Sequence, residues 1–442
     1  MAEPWLSTVA KLPEFFATDQ IEASARRTKL VQRASKITGK LFLALVTFGR
    51  WSAPKTSVAQ LAAKAAPLAQ PVDITPEALQ QRMNERAVAF LQDLRQRAFT
   101  NLHTGDTGCD EARFAPFARV HSAESTGFGL PASLKEQFPG AGGSGSKAGA
   151  KIQLVWEYKS HTFDHLALVP WNVPDNKYVE TVVELARPHA LFIFDLGYCK
   201  LAAFARIAAA QAYFLSRLHH QATLEEVVGG RTQPLALPRH RAHETRSLLE
   251  KSVVVGARER VAARLIAVRL PEAIVNERRR QARAVAKKRG STPSYAYLTL
   301  LAWNLFLTNV PGTGWPPQTG CIAYALRWQV ELVFKAWKSP LHLAPLTTTT
   351  KPSPLCYLYG RRLLIVLTFA LCPTLRAPVW QKRQREVSLV KLVRHCQAGA
   401  EQWLQVLLQR AGQLATFLAR ARATAERLVM KAVRQRRTSA QY

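Results

Sequence analysis

The stretch Tyr324 to Lys338 reads YALRWQVELVFKAWK, with apolar positions at helical spacing and neither Pro nor Gly to interrupt them. That pattern predicts one continuous helix. Leu326, Val330, Val333, Phe334 and Trp337 share a packing face. Tyr324, Arg327, Glu331 and Lys338 fall on another side, within an arc of about 60°.

Shorter runs carry the period of strands. Leu191-Phe192-Ile193-Phe194 is unbroken and ends at Asp195, as a strand covered on both faces does. Ile152 to Tyr158 and Phe163 to Val169 are rich in β-branched and aromatic residues, and Phe117 to Ser122 alternates toward Glu124-Ser125-Thr126; all three read as strands. Asn176 to Ala186 predicts a short helix, Leu201 to Gln211 another, and Tyr213 to Leu218 a strand. Lys251 to Val255 and Arg260 to Leu270 alternate as strands, Pro271 to Arg289 is a basic helix, and Tyr295 to Val310 reads as strand again. The glycines of Pro139 to Ala150 lack the G-x-x-x-x-G-K-[ST] order of a phosphate loop and predict a hairpin loop.

The flanks read as helical. Lys40 to Trp51 is a short apolar helix, and Ser57 caps an Ala-rich helix from Val58 to Ala69. Thr75-Pro76-Glu77 opens a single helix carrying Leu79, Met83, Ala87, Phe90, Leu91 and Leu94. Two helices joined by a short link fit a helix-turn-helix or a plain bundle equally. Toward the C-terminus, Pro352 and Pro354 mark a linker, Leu363 to Cys372 is a buried apolar helix, and Val387 to Leu428 keeps helical spacing. That last segment fits a dimer interface or packing within one subunit. The basic run Lys431 to Arg437 reads as a disordered, phosphate-binding tail.

Charge narrows the function classes. The 442 residues hold 61 Lys plus Arg against 30 Asp plus Glu, a formal charge of +31. Such an excess opposes compaction unless a polyanion neutralises it, so nucleic acid is the expected partner, DNA or RNA alike. The 6 cysteines have no paired spacing, which argues against a zinc finger or disulfide framework. No signal pattern opens the chain, and the longest apolar run is about half what a bilayer requires. A cytoplasmic, nucleoid-associated protein with no membrane partner is the expectation.

Charged residues on one helix face usually just meet water. On the Tyr324–Lys338 helix, however, a carboxylate lies between cations and a phenol, a set that can hold a metal beside a phosphate backbone. The spacing Tyr-x2-Arg-x3-Glu-x6-Lys, with its flanks RWQVEL and FKAWKS, resembles the YREK signature of the IS4-type DDE transposases, the group that includes Tn5-like elements. DLGYCK at Asp195 and AYFLSRL, with Arg217, resemble that family's second-carboxylate region.

The resemblance implies an α+β chain. An RNase H-like catalytic core carries an inserted mainly β domain, with an N-terminal helical DNA-binding domain and a C-terminal helical region beside it. The boundaries are 1–105 for the helical DNA-binding region, 106–222 for the first part of the core and 223–312 for the insertion. Residues 313–350 form the closing helix and 351–442 the basic helical C-terminal region. It further implies Glu124, Asp195 and Glu331 as catalytic ligands of two Mg²⁺ or Mn²⁺ ions, and DNA contacts from Tyr324, Arg327, Lys338, Arg217 and Trp303. Trp303 would stack on a flipped base, and the basic helix is either solvated or bound to phosphate. The implied partners are duplex DNA, both terminal inverted repeats and target, and a second subunit to pair two ends.

One position departs from the family. Its first carboxylate is an Asp followed closely by Ser or Thr, whereas the matching residue here is Glu124. The extra methylene moves the oxygens by about an ångström, and small misplacements slow two-metal chemistry steeply. The alternative this opens is a transposase-derived DNA-binding protein or repressor that does not cut. Asp106 and Asp110 precede the strand and are not expected to substitute.

Overall fold

The computed structural model describes residues 11–65, 73–102, 112–142, 146–219, 222–237, 246–343, 353–383 and 387–409, with a few positions beyond. The helices in chain order are α1 Thr18–Arg27, α2 Gly39–Leu43, α3 Val58–Ala63, α4 Pro76–Arg82, α5 Glu85–Leu102, α6 Asp175–Val183, α7 Leu201–Ala209, α8 Glu272–Lys288, α9 Tyr295–Leu300, α10 Pro317–Tyr324, α11 Arg327–Lys338, α12 Ser353–Arg383, α13 Leu389–Ala398 and α14 Ala400–Gln409. The strands are β1 Arg119–Leu130, β2 Ala148–Glu157, β3 Thr162–Pro170, β4 Ala190–Phe194, β5 Tyr213–Arg217, β6 Leu224–Val228, β7 Arg231–Pro234, β8 Leu248–Val255, β9 Val261–Arg269 and β10 Trp303–Thr308. The chain is thus a mixed α+β protein with a large mixed sheet and many helices, as the resemblance implies.

Two compact units divide it. The first comprises Met1–Cys109, Ser125–Val173 and Glu331–Ala432; the second comprises Asp110–Glu124, Pro174–Val330 and Val433–Tyr442. In the first unit β2 and β3 form an antiparallel hairpin. Helix α12 packs there against α5. Ser353–Pro373 is long and apolar enough to cross a bilayer, but every residue of that stretch is buried inside the protein, as in a core helix. Phe163, Trp337 and Phe369 meet there, with ring centroids 5.0–6.1 Å apart.

In the second unit β1 leads, followed across the sheet by β4, β5, β10, β9, β8, β6 and β7. Strand β4 runs parallel to both β1 and β5, and all five of its residues are buried. The remaining pairs are antiparallel. The strands that follow Arg217 therefore extend the same sheet as β4 and β5. The β6–β7 hairpin turns through Gly229 and Gly230, both at positive φ, which fits a two-residue turn between twisted strands. Its short strands, LEEVV and RTQP, carry no clear periodic signal in the sequence.

Several elements differ from their sequence expectation. The Tyr324–Lys338 helix breaks at Ala325-Leu326, where Trp328 N–H and Gln329 N–H bond three residues back, to Ala325 and Leu326. The helix expected from Pro76 through Leu94 is two helices. Asn84 Oδ1 accepts from the backbone of Arg86 and Ala87 and caps a new start. Tyr295 to Val310 is not one strand, because Ser294 Oγ accepts from Tyr297 N–H and caps α9 before β10 begins. Pro354 sits in the first turn of α12, where its missing N–H costs no helical bond, rather than in a linker. The Lys40–Trp51 helix continues as a π-helical turn over Ala44–Phe48. Helix α3 ends at Ala63, and the remainder of the expected Ala-rich helix lies partly outside the described residues, as do Asp106, Asp110 and the basic tail. The Val387–Leu428 segment is interrupted at Gly399.

Candidate active site

Parallel pairing aligns the middle of β1 with the carboxyl ends of β4 and β5. The last registered pair between β1 and β4 is Ala123 with Phe194, so the next residues along the two strands are Glu124 and Asp195. The last pair between β4 and β5 is Phe194 with Ser216, so Arg217 follows at the same level. Two carboxylates and a guanidinium thus stand side by side at the carboxyl end of β4, the end where open α/β sheets place their chemistry.

Helices α10 and α11 bring the next two groups. Arg264, 9% exposed, pairs with Glu250 and donates from Nη1 to the carbonyls of Val310 (2.7 Å) and Trp315 (3.3 Å). Those bonds fix the loop between β10 and α10, and Trp315 Nε1 anchors it further on the Arg113 carbonyl at 3.1 Å. Tyr324 ends α10 with its ring 4.9 Å from that of Phe306. Its hydroxyl donates to Asp195 Oδ1 at 3.3 Å. Arg327 opens α11, donates from Nη1 to Glu124 Oε1 at 2.7 Å, and holds Nε 3.9 Å from Asp195 Oδ1. The helix break leaves Tyr324 and Arg327 on the same pair of carboxylates.

The electrostatics follow from that crowding. Burial raises the Tyr324 pKa, and the Asp195 charge raises it further, so the phenol stays protonated and remains a donor. Burial works against the Arg327 cation, but the hydrogen bond and charge of Glu124 outweigh it and hold the pKa above the ordinary arginine range. A single guanidinium therefore offsets the repulsion between two neighbouring carboxylates.

Glu331 lies one turn beyond Arg327 on α11 and is half-buried, while Lys338 ends the helix exposed. Both belong to the first compact unit, which α11 enters at Glu331. Trp303 opens β10 opposite Arg269 and is 4% exposed. Arg217 Nη2 donates to Asn304 Oδ1 at 2.9 Å, and Arg278 Nη2 donates to the same oxygen at 3.1 Å. Asn304 escaped sequence reading; its only signal there is an amide inside the apolar run WNLFLT.

No cluster of three or more His, Cys, Asp or Glu poised for a metal occurs among the described residues. The pair Glu124 and Asp195 still offers hard carboxylate oxygens of the kind that Mg²⁺ and Mn²⁺ prefer. With a phenol and guanidinium beside them, these groups suit chemistry at a phosphodiester, where bound metal ions and cations neutralise charge on the phosphate.

Comparison with known proteins points the same way. Residues 115–367 match the transposase DDE domain. The chain is 26% identical to the transposase for insertion sequence element IS231C of Bacillus thuringiensis subsp. berliner over 395 residues, covering 84% of this chain and 81% of that one. It is 25% identical to the transposase for insertion sequence element IS1151 of Clostridium perfringens, over 86% of this chain and 83% of that one.

Proposed function

The chain belongs to the transposase DDE-domain family, as an IS4-type member, and from that premise we propose that it cuts the ends of its own mobile element and joins the freed 3′-hydroxyl to target DNA. The observation that carries this reading is the juxtaposition of Glu124, where β1 leaves its pairing with β4, and Asp195, just past the end of β4, both faced by Arg327.

Glu124 and Asp195, with Glu331 supplied from α11, are the residues that would hold two Mg²⁺ or Mn²⁺ ions. Glu331 follows Arg327 by four positions, which places it on the same helix face. Bound ions of this kind activate water or a 3′-hydroxyl and stabilise the attacking and leaving oxygens of phosphoryl transfer. Arg327 keeps these two carboxylates of β1 and β4, Glu124 and Asp195, together against their repulsion and, with Lys338, holds phosphate. Tyr324 orients Asp195 through its hydroxyl. The YREK subgroup assignment rests on the spacing of Tyr324, Arg327, Glu331 and Lys338. The substrate in this reading is duplex DNA bearing terminal inverted repeats, and two copies of the chain pair the two ends.

A second reading, a DNA-end-binding protein or repressor that no longer cuts, is favoured by one feature. The first carboxylate is a glutamate, and its Oε1 is engaged by Arg327 at 2.7 Å. Metal-dependent nicking separates the two. Asp195→Ala and Glu331→Ala abolish cutting and leave DNA binding in place; a variant that still cuts removes its residue from the site.

A further inference from the structure

Beside the carboxylates, the second unit holds a groove of about 800 Å³ whose lining includes Arg217 of β5, Arg278 and Arg289 of α8 and its C-terminus, and Tyr297 of α9. Among the described residues, no carboxylate lines it. Two guanidiniums meet there on one neutral atom: Arg217 and Arg278 both donate to Asn304 Oδ1. Among the described residues, neither arginine has an ion-pair partner. The adjacent arginines of the same helix differ, since Arg279 lies 3.8 Å from Glu272 and Arg280 pairs with Glu277 at 2.8 Å. Burial, and then the neighbouring Arg217 charge, lowers the Arg278 pKa.

An amide oxygen aligns two cations without neutralising them. A carboxylate at position 304 would satisfy both, so the asparagine keeps both positive charges available, at a cost in repulsion that an anion would relieve. We propose that this groove takes one phosphate group of a nucleic-acid strand, gripped by Arg217 and Arg278, with Asn304 holding the two guanidiniums in register. The groove is open and has an apolar wall, where Val285 is 50% exposed; that leaves room for the sugar and base on either side of the phosphate. Arg217 follows Ser216, the partner of Phe194, so the gripped phosphate lies beside the carboxyl end of β4, where Asp195 follows. This proposal rests on the DNA-processing reading above.

The test uses the full chain with Glu124, Asp195 and Glu331 intact. Binding to duplex DNA carrying the element's ends is measured against salt concentration for the native protein, Arg278→Gln and Asn304→Asp. Arg278→Gln is expected to reduce the slope of log affinity against log salt by about one, the loss of one phosphate contact. Asn304→Asp is expected to reduce it at least as much with no fall in melting temperature, because the new carboxylate pairs with both arginines. Unchanged slopes in both folded variants overturn the proposal. If inorganic phosphate raises the native melting temperature and the DNA slopes do not move, the groove is a free-phosphate site and the strand assignment is overturned. Metal-dependent cutting is read separately. Native protein that binds with the expected slope changes and does not cut contradicts the transposase activity alone and leaves the clamp standing.

Discussion

Arg327 donates from Nη1 to Glu124 Oε1 at 2.7 Å, with side chains only 18% and 14% exposed. The same guanidinium faces Asp195, so its removal leaves two neighbouring carboxylates uncompensated. Arg327→Gln is expected to lower stability at neutral pH by about 2 kcal/mol. Urea denaturation checks this, and an unchanged midpoint would show that the bridge holds nothing together.

Trp303 separates packing from DNA contact. Its ring is buried at the start of β10, so Trp303→Ala is expected to cost about 3–5 kcal/mol, read as a fall in melting temperature. A tryptophan whose sole role is to stack on a base would leave the melting temperature unchanged and weaken binding to DNA.

Arg362 is 4% exposed on α12, its Nε has no hydrogen-bond partner among the described residues, and the Arg95 charge acts against it. Burial and that like charge both push its pKa down. A buried cation with no counter-charge among the described residues is costly, so Arg362→Met is expected to stabilise the protein by about 1–3 kcal/mol. A lower melting temperature for the folded variant would mean that the Tyr359 ring, 5.3 Å away, compensates the charge.

Asp93 gives a pH signature. Burial raises its pKa, but hydrogen bonds from Arg27 and Ser24, both 2.6 Å, prevail and hold it below the ordinary value. With the folded value depressed, the stabilisation is present above the unfolded value of 3.8 and is lost as pH falls through the folded one. Since Arg27 is 57% exposed, solvent screening limits the effect, and Asp93→Asn is expected to cost about 1 kcal/mol at pH 7. The gap between variant and native protein should close in acid; a gap that persists below the unfolded value would point to lost packing.

The strand ends are legible in the sequence because β4 is a continuous apolar run that stops at a charged residue, a pattern forced by burial on both faces. Strands β8 and β9 and helix α8 are legible for the same reason: their periods are undisturbed. The break at Asn84 and the start of α9 at Ser294 were not, because they depend on single side chains. Asn84 and Ser294 offer local caps that compete with helix or strand continuation, and periodicity alone does not weigh them. Asn304 was hidden differently. Its role exists only once β5, β10 and α8 bring two arginines to one amide, a relationship spanning distant segments.

The most direct measurement is metal-dependent cleavage of DNA carrying the element's own ends, by the native protein and by Glu124→Asp. The expected result is cutting by the native protein in Mg²⁺ or Mn²⁺ that stops on chelation, with Glu124 a working ligand. Cutting by Glu124→Asp alone would contradict the activity of the native chain and leave it a transposase fold that binds DNA without cutting. Cutting by neither would contradict the assignment of the site to Glu124 of β1 and Asp195 at the end of β4.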